Sequence, residues 1–184
     1  MRTDTHNAQT GCCYWLTGLS GAGKSTIAIH AAQNLRAHGY RVSVLDGDEL
    51  RTGLNCDLGF SREDRAENVR RIGEVARLMV DAGLIVLVSA ISPYQVDREV
   101  ARCRIGDHRC FTVLIDTPLQ TCIERDPKGL YARARAGEIK GMTGWDDPYE
   151  SPCAPDISIA TKSVSAEAAA QQIEQHYRQL IHGH

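Results

Sequence analysis

The chain has 184 residues, 42% of them hydrophobic, and a formal net charge of −2. That length suits one compact domain, and the hydrophobic content excludes global disorder. No apolar run approaches the roughly 20 residues that span a bilayer, and the near-neutral charge gives no general attraction to nucleic acid, so any polyanion site must be a local cluster.

In chain order, Met1–Thr10 is polar and lacks the apolar stretch of a signal peptide. Residues 1–11 are therefore expected to form a flexible tail ahead of a single domain over 12–184, in a cytoplasmic protein. Cys13-Tyr14-Trp15-Leu16-Thr17 reads as a buried strand and Thr26 to His38 as a helix. Between them lies Gly18-Leu19-Ser20-Gly21-Ala22-Gly23-Lys24-Ser25, which fits G-x-x-x-x-G-K-[ST]. Strand, glycine loop and helix is the setting in which this motif cradles phosphates on backbone N–H groups. It predicts a nucleoside triphosphate held by Gly18 to Thr26, with Lys24 on the β- and γ-phosphates and Ser25 ligating Mg²⁺.

Arg41–Asp46 is a short strand ending in an acid, and Asp46-Gly47-Asp48 then falls at a strand carboxyl end, where α/β sheets gather ligands. Beside a Mg²⁺·phosphate cluster, such carboxylates organise metal-bound water or take the proton of an attacking hydroxyl. Arg62 to Ala82 is a long helix, with apolar positions at Val69, Ile72, Val75, Ala76 and Met79. Arg65 and Asn68 share a face of it, and Arg51 converges on them from the preceding loop. With Phe60, they make a site for an anionic, ring-bearing acceptor. Arg62, Arg70, Arg71 and Arg77 read as a solvated face paired with Glu63, Glu67 and Glu74.

Leu84–Ser89 is a continuous apolar run, as in a strand buried on both faces. Val96–Cys103 reads as a helix, Cys110–Ile115 as a strand, Leu119–Arg125 as a helix, Ile157–Ala160 as an edge strand and Ala166–Ile181 as the last helix. Alternating strands and helices predict an α/β fold with a mostly parallel sheet flanked by helices. Asp126 to Pro155 breaks the pattern: it holds four of the six prolines together with Lys128, Arg133, Arg135 and Lys140. A long irregular segment of this charge predicts a mobile lid over phosphates. The seven cysteines form no C-x-x-C pair and no zinc-like spacing, and read as reduced thiols, with Cys12, Cys110 and Cys122 in the core.

The ordered blocks Gly-Leu-Ser-Gly-Ala-Gly-Lys-Ser-Thr (18–26), Leu-Asp-Gly-Asp (45–48) and Gly-Leu-Asn-Cys-Asp-Leu-Gly-Phe-Ser (53–61) carry a resemblance. So do Asp-Arg-Ala-Glu-Asn-Val-Arg-Arg (64–71), Ile-Ser-Pro-Tyr (91–94), Arg-Asp-Pro-Lys-Gly-Leu-Tyr (125–131) and Asp-Asp-Pro-Tyr-Glu (146–150). From Tyr14 to the last helix the chain resembles the adenylylsulfate kinase family of P-loop kinases. The resemblance implies transfer of the ATP γ-phosphoryl group to the ribose 3′-hydroxyl of adenylyl sulfate. It implies that Arg51, Arg65 and Asn68 hold the phosphosulfate and ribose, that Phe60 stacks on the acceptor adenine, and that Ile91 borders it. Asp48 becomes the base or water-organising acid, with Asp46 beside it near the metal. Arg125 lies on the ATP adenine, and Lys128 and Lys140 belong to the lid. Ser92 matches a serine phosphorylated in some members and is read as an acceptor-site residue, because in-line transfer needs no covalent intermediate. A homodimer, supplied by a separate ATP sulfurylase, is also implied.

Three positions depart from the family pattern. Met142 and Ala90 stand where phenylalanine is usual, and Trp145 replaces a small aliphatic residue. All three are expected near the acceptor pocket, with Met142 touching the purine through its sulfur and Trp145 as a substitute platform. A remodelled pocket for another small hydroxyl acceptor is the alternative within kinases. A nucleotide-dependent switch is the alternative outside them, although a switch needs no acceptor cluster.

Overall fold

The computed structural model describes residues 9–182. Residues 1–8 of the expected tail lie outside that range, but the rest of it is already part of the fold. The Gln9 side chain donates to the carbonyls of Arg41 (2.7 Å) and Gly83 (2.8 Å), and a Cβ on Gly11 would sit 2.1 Å from the Val80 carbonyl oxygen.

From there the elements are β1 (Cys12–Thr17), α1 (Lys24–Ala37), β2 (Val42–Asp46), α2 (Gly47–Thr52), α3 (Arg62–Asp81) and β3 (Ile85–Ser89). They continue as α4 (Gln95–Ile105), β4 (Cys110–Asp116), α5 (Leu119–Arg125), α6 (Leu130–Arg135), β5 (Ile157–Ala160) and α7 (Ala166–His182). The five strands form one parallel sheet in the order β2-β3-β1-β4-β5. This is the expected α/β architecture. Two short helices, α2 and α6, stand where turn and irregular chain were expected.

The period of two along a strand divides the core. On β1, Cys12, Tyr14 and Leu16 face α1 and α7, whereas Cys13 and Trp15 face α3 and α4. Strand β3 repeats the split, with Ile85 and Leu87 on the first face and Val86 and Val88 on the second. Burial on both faces explains why these strands read as unbroken apolar runs. Cys12, Cys110 and Cys122 are core residues, and burial pushes the Cys12 thiol up to about 12, which keeps it protonated and inert.

Because the strands are parallel, their carboxyl ends share one edge of the sheet. Ser89 is in register with both Leu16 and Asp46, so the loops leaving β1, β2 and β3 open side by side there. Among the described residues no helix is long and apolar enough to cross a membrane.

Candidate active site

The loop between β1 and α1 is built around glycine. Gly18, Gly21 and Gly23 all take positive φ (149°, 77° and 106°), and a Cβ on Gly18 would come within 2.7 Å of the Ile115 carbonyl oxygen. Only glycine lets the chain turn this tightly against β4. Gly23 caps α1 without a side chain, so the first-turn N–H groups and the helix dipole face the loop's concavity. Lys24 lies buried beneath it and donates to the carbonyls of Gly18 (2.9 Å) and Leu19 (2.8 Å). Burial, aided by Lys128 and opposed by Asp48 and Asp46, lowers its pKa to about 8.

Next to the loop, Ser25 Oγ donates to Asp46 Oδ2 (2.5 Å) and lies 3.0 Å from Ser89 Oγ. Asp46 Oδ1 accepts from the Asp48 N–H (2.9 Å), which makes Asp46 the N-cap of α2. Its half-burial works against ionisation, but hydrogen bonds from Ser25, Ser89 and the backbone of Asp48 and Glu49 hold its carboxyl below the ordinary range. Asp48, one step into α2, is exposed and forms an ion pair with Lys128. Hydroxyl and carboxylate oxygens alone make a donor set for a hard divalent cation, and no group of three or more His, Cys, Asp and Glu side chains forms a cage among the described residues. That pattern fits a divalent cation arriving with a polyphosphate that supplies its remaining ligands.

The second cluster begins in the last turn of α2. Arg51 closes α2, bonds the carbonyls of Leu58 (3.2 Å) and Gly59 (2.9 Å), and lies 4.5 Å over the Phe60 ring. Phe60 is 65% exposed, an apolar platform held out at the cavity rim. Ser61 caps α3 through the Asp64 N–H (3.1 Å), setting Arg65 and Asn68 on the helix face toward the cavity. Arg65 donates to Thr143 Oγ1 (2.8 Å), the Gly141 carbonyl (2.5 Å) and the Phe60 carbonyl (3.0 Å), and Asn68 Oδ1 accepts from Asn55 (3.0 Å).

One cavity of about 1150 Å³ joins both clusters. Of the expected residues, Ser20 to Thr26, Asp48, Arg51, Phe60, Arg65, Asn68, Ile91, Ser92, Arg125, Lys128, Lys140 and Met142 line it. Gly18, Leu19 and Asp46 are not part of that lining. Ala90 lines the cavity too, but Trp145 does not: it is 42% exposed and lines a separate groove with Leu19 and Leu119. The expectation of Trp145 as an acceptor platform is therefore corrected. The Met142 carbonyl accepts from the backbone N–H groups of Trp145, Asp146 and Asp147, and this tight turn sends the indole to the other side of the segment. Ser92 lines the cavity, and its Oγ accepts from the Trp15 indole (3.0 Å). Sequence reasoning missed Ser89, Thr143 and the turn Thr161–Ala166, which completes the Arg125 end. Arg125 donates to Thr161 Oγ1 (3.3 Å) and to the Thr161 carbonyl (3.1 Å). The rule that ligands collect at strand carboxyl ends, applied to β5, points to that turn.

A phosphate cradle at one end, a basic and aromatic cluster at the other and carboxylates between them define a P-loop kinase. Its relatives narrow that class. The chain belongs to the adenylylsulphate kinase family, whose pattern matches residues 10–160. The adenylyl-sulfate kinase of Bacillus pumilus is 54% identical over 159 residues, 86% of this chain and 81% of that protein. The structure of the Mycobacterium tuberculosis APS kinase CysC in complex with AMPPNP and APS has 50% identity and a TM-score of 0.87, covering 90% of this chain and 96% of that one. The bifunctional enzyme NodQ of Azospirillum brasilense is 51% identical over 86% of this chain, which spans 26% of NodQ's length.

Proposed function

We propose that the protein transfers the γ-phosphoryl group of ATP to the ribose 3′-hydroxyl of adenylyl sulfate, giving 3′-phosphoadenylyl sulfate and ADP. The observation that carries this is the single cavity of about 1150 Å³, larger than a drug-sized pocket, with a phosphate loop and an acceptor cluster at opposite ends. The family relatives supply the substrates: the Mycobacterium tuberculosis complex carries an ATP analogue and APS.

In this reading the loop amides and Lys24 hold the β- and γ-phosphates, and Arg125 with the Thr161–Ala166 turn receives the ATP base. Arg51, Arg65 and Asn68 hold the phosphosulfate and ribose of the acceptor. Phe60 and Met142 flank its adenine against the Ala90–Ser92 wall. Mg²⁺ would be held by Ser25, with Asp46 and Asp48 reaching it through water. Bound there, it neutralises charge on the phosphates. Asp48 takes the proton of the 3′-hydroxyl or fixes the water that does, and its pairing with Lys128 joins the carboxylate to the segment 126–155, the proposed lid. Lys128 and Lys140 then close over the phosphates, and closure excludes the water that would hydrolyse ATP. A cytoplasmic homodimer completes the proposal on family likeness alone.

The test is a coupled assay of the purified protein with Mg·ATP and a panel of hydroxyl acceptors. Adenylyl sulfate is expected to be turned over in preference to the others, with Asp48→Asn lowering kcat at least about a hundredfold while KM for ATP changes little. Turnover of another acceptor alone would sink the assignment, and acceptor-independent ATP hydrolysis would favour a nucleotide switch.

A further inference from the structure

Asn55 is the only buried residue between Gly53 and Ser61, in the otherwise open connection from α2 to α3. Its backbone is fastened at both ends: its N–H donates to the Leu50 carbonyl (2.8 Å), and its carbonyl accepts from the Leu58 N–H (3.1 Å). Its carboxamide is used at one end only. Asn55 Nδ2 donates to Asn68 Oδ1 at 3.0 Å, while Asn55 Oδ1 is buried without any partner. A sealed, unpartnered oxygen costs stability that a leucine of similar size would not, so the buried amide calls for a role beyond packing.

That role lies in what its donor does to Asn68. A carboxamide has a donor end and an acceptor end, and side-chain rotation exchanges them. Asn68 lines the cavity from α3. With its oxygen taken by Asn55, the end left free for a ligand is Nδ2, and among the described residues no protein group accepts from it. A donor is the polarity that phosphate, sulfate and ribose oxygens require. Without Asn55, no side chain among the described residues holds the Asn68 carboxamide in the cavity wall.

We propose that Asn55 is a positioning residue for the acceptor. Its bond to Asn68 Oδ1 anchors the Asn68 carboxamide in the cavity wall, with the Asn68 N–H groups free to meet the anionic acceptor. This rests on the reading of Asn68 as an acceptor contact. The same bond ties the 53–60 connection, which carries Phe60 and the carbonyls that hold Arg51, to the helix bearing Arg65 and Asn68.

Steady-state kinetics on Asn55→Leu, Asn68→Ala and the double variant test it. Asn55→Leu keeps the volume and removes both the donor and the orphaned oxygen. The expected result is an unchanged or higher melting temperature, with KM for adenylyl sulfate raised about tenfold and KM for ATP within about twofold of wild type. In the Asn68→Ala background the same substitution is expected to move the acceptor KM by less than about twofold, because its effect acts through Asn68. If leucine prevents folding, Asn55→Ala is read in the same way. An unchanged acceptor KM in the single variant, or a rise that persists without Asn68, overturns the proposal while leaving the reaction assignment in place. A wild-type protein that does not phosphorylate adenylyl sulfate overturns both.

Discussion

Lys24 combines burial with the one positive charge the phosphate loop requires, and the conflict has a measurable consequence. Its ordinary pKa of 10.5 falls to about 8, chiefly through burial. Between these values the unfolded chain binds more protons at this site than the folded one. The cost of burying the charge, on the order of 3 kcal/mol, is therefore fully present below pH 8 and is relieved as pH rises toward 10.5. A polyphosphate reverses the balance, because it favours the ammonium and pulls the pKa back up. ATP binding above pH 8 is expected to take up a proton, with Kd rising by up to about tenfold per pH unit over the next unit. Titrating the affinity by calorimetry from neutral to alkaline pH checks this. Lys24→Met is expected to bind weakly and without that slope, and a flat wild-type profile would refute the coupling. At this scale the phosphate loop was fully legible, since its glycines and lysine act through covalent spacing. Trp145 was not, because the side of the chain on which it emerges depends on the hydrogen bonds of Gly141–Asp147, which spacing does not encode. The Asp146 carboxylate accepts from the N–H groups of Gly141 (2.8 Å) and Met142 (2.6 Å), which hold it below the ordinary carboxylate range and lock that turn.

The segment between α5 and β5 behaves as two kinds of element. Its anchors are buried or half-buried: Tyr131 donates from its hydroxyl to the Ser20 carbonyl (3.1 Å), Thr143 receives Arg65, and the half-buried Tyr149 has its hydroxyl 3.1 Å from Thr17 Oγ1. Its rim is exposed, with Lys128 and Arg133 facing both cavity and solvent. The sequence marked the whole stretch as irregular because α6 is six residues long, too short for a helical period to show, and is bracketed by Gly129 and Gly137. Asp126 starts it by accepting from the N–H groups of Tyr131 (3.2 Å) and Ala132 (2.9 Å), a turn device that composition alone does not reveal. The division predicts different phenotypes. Tyr131→Ala is expected to destabilise the protein by about 3 to 5 kcal/mol in urea unfolding, as for other large aromatic side chains removed from a core. Lys128→Ala removes only an exposed ion pair and is expected to stay within about 0.5 kcal/mol while lowering kcat. Equal losses of stability in the two variants would mean that the segment is a uniform structural layer.

Across the whole molecule, all five parallel strands deliver their carboxyl ends to one edge, and the loops leaving β1, β2, β3 and β5 meet around one cavity. This is why strand and helix periodicities were enough to place Asp46 and Asp48 near the phosphate loop. The turn after β5 obeys the same geometry but escaped notice, since a strand of four residues at the sheet edge carries too short a pattern to mark the turn beyond it as part of the site. The cavity has two ends, and the segment 126–155 is bonded to both. Tyr131 and Lys128 tie it to the loop and Asp48, whereas the Gly141 carbonyl and Thr143 tie it to Arg65 at 2.5 and 2.8 Å. A ligand that orders this segment from one end leaves less conformational freedom to be lost when the other end fills. ADP and adenylyl sulfate are therefore expected to bind with positive coupling, each lowering the Kd of the other by the same factor, about five- to a hundredfold. Calorimetric titration of each ligand with and without the other measures both factors, and thermodynamic linkage requires them to agree. Thr143→Ala, which cuts one tie at the acceptor end, is expected to shrink the factor while leaving the affinity for ADP alone unchanged. Independent binding in the wild-type protein would show instead that the segment is already fixed before either ligand arrives.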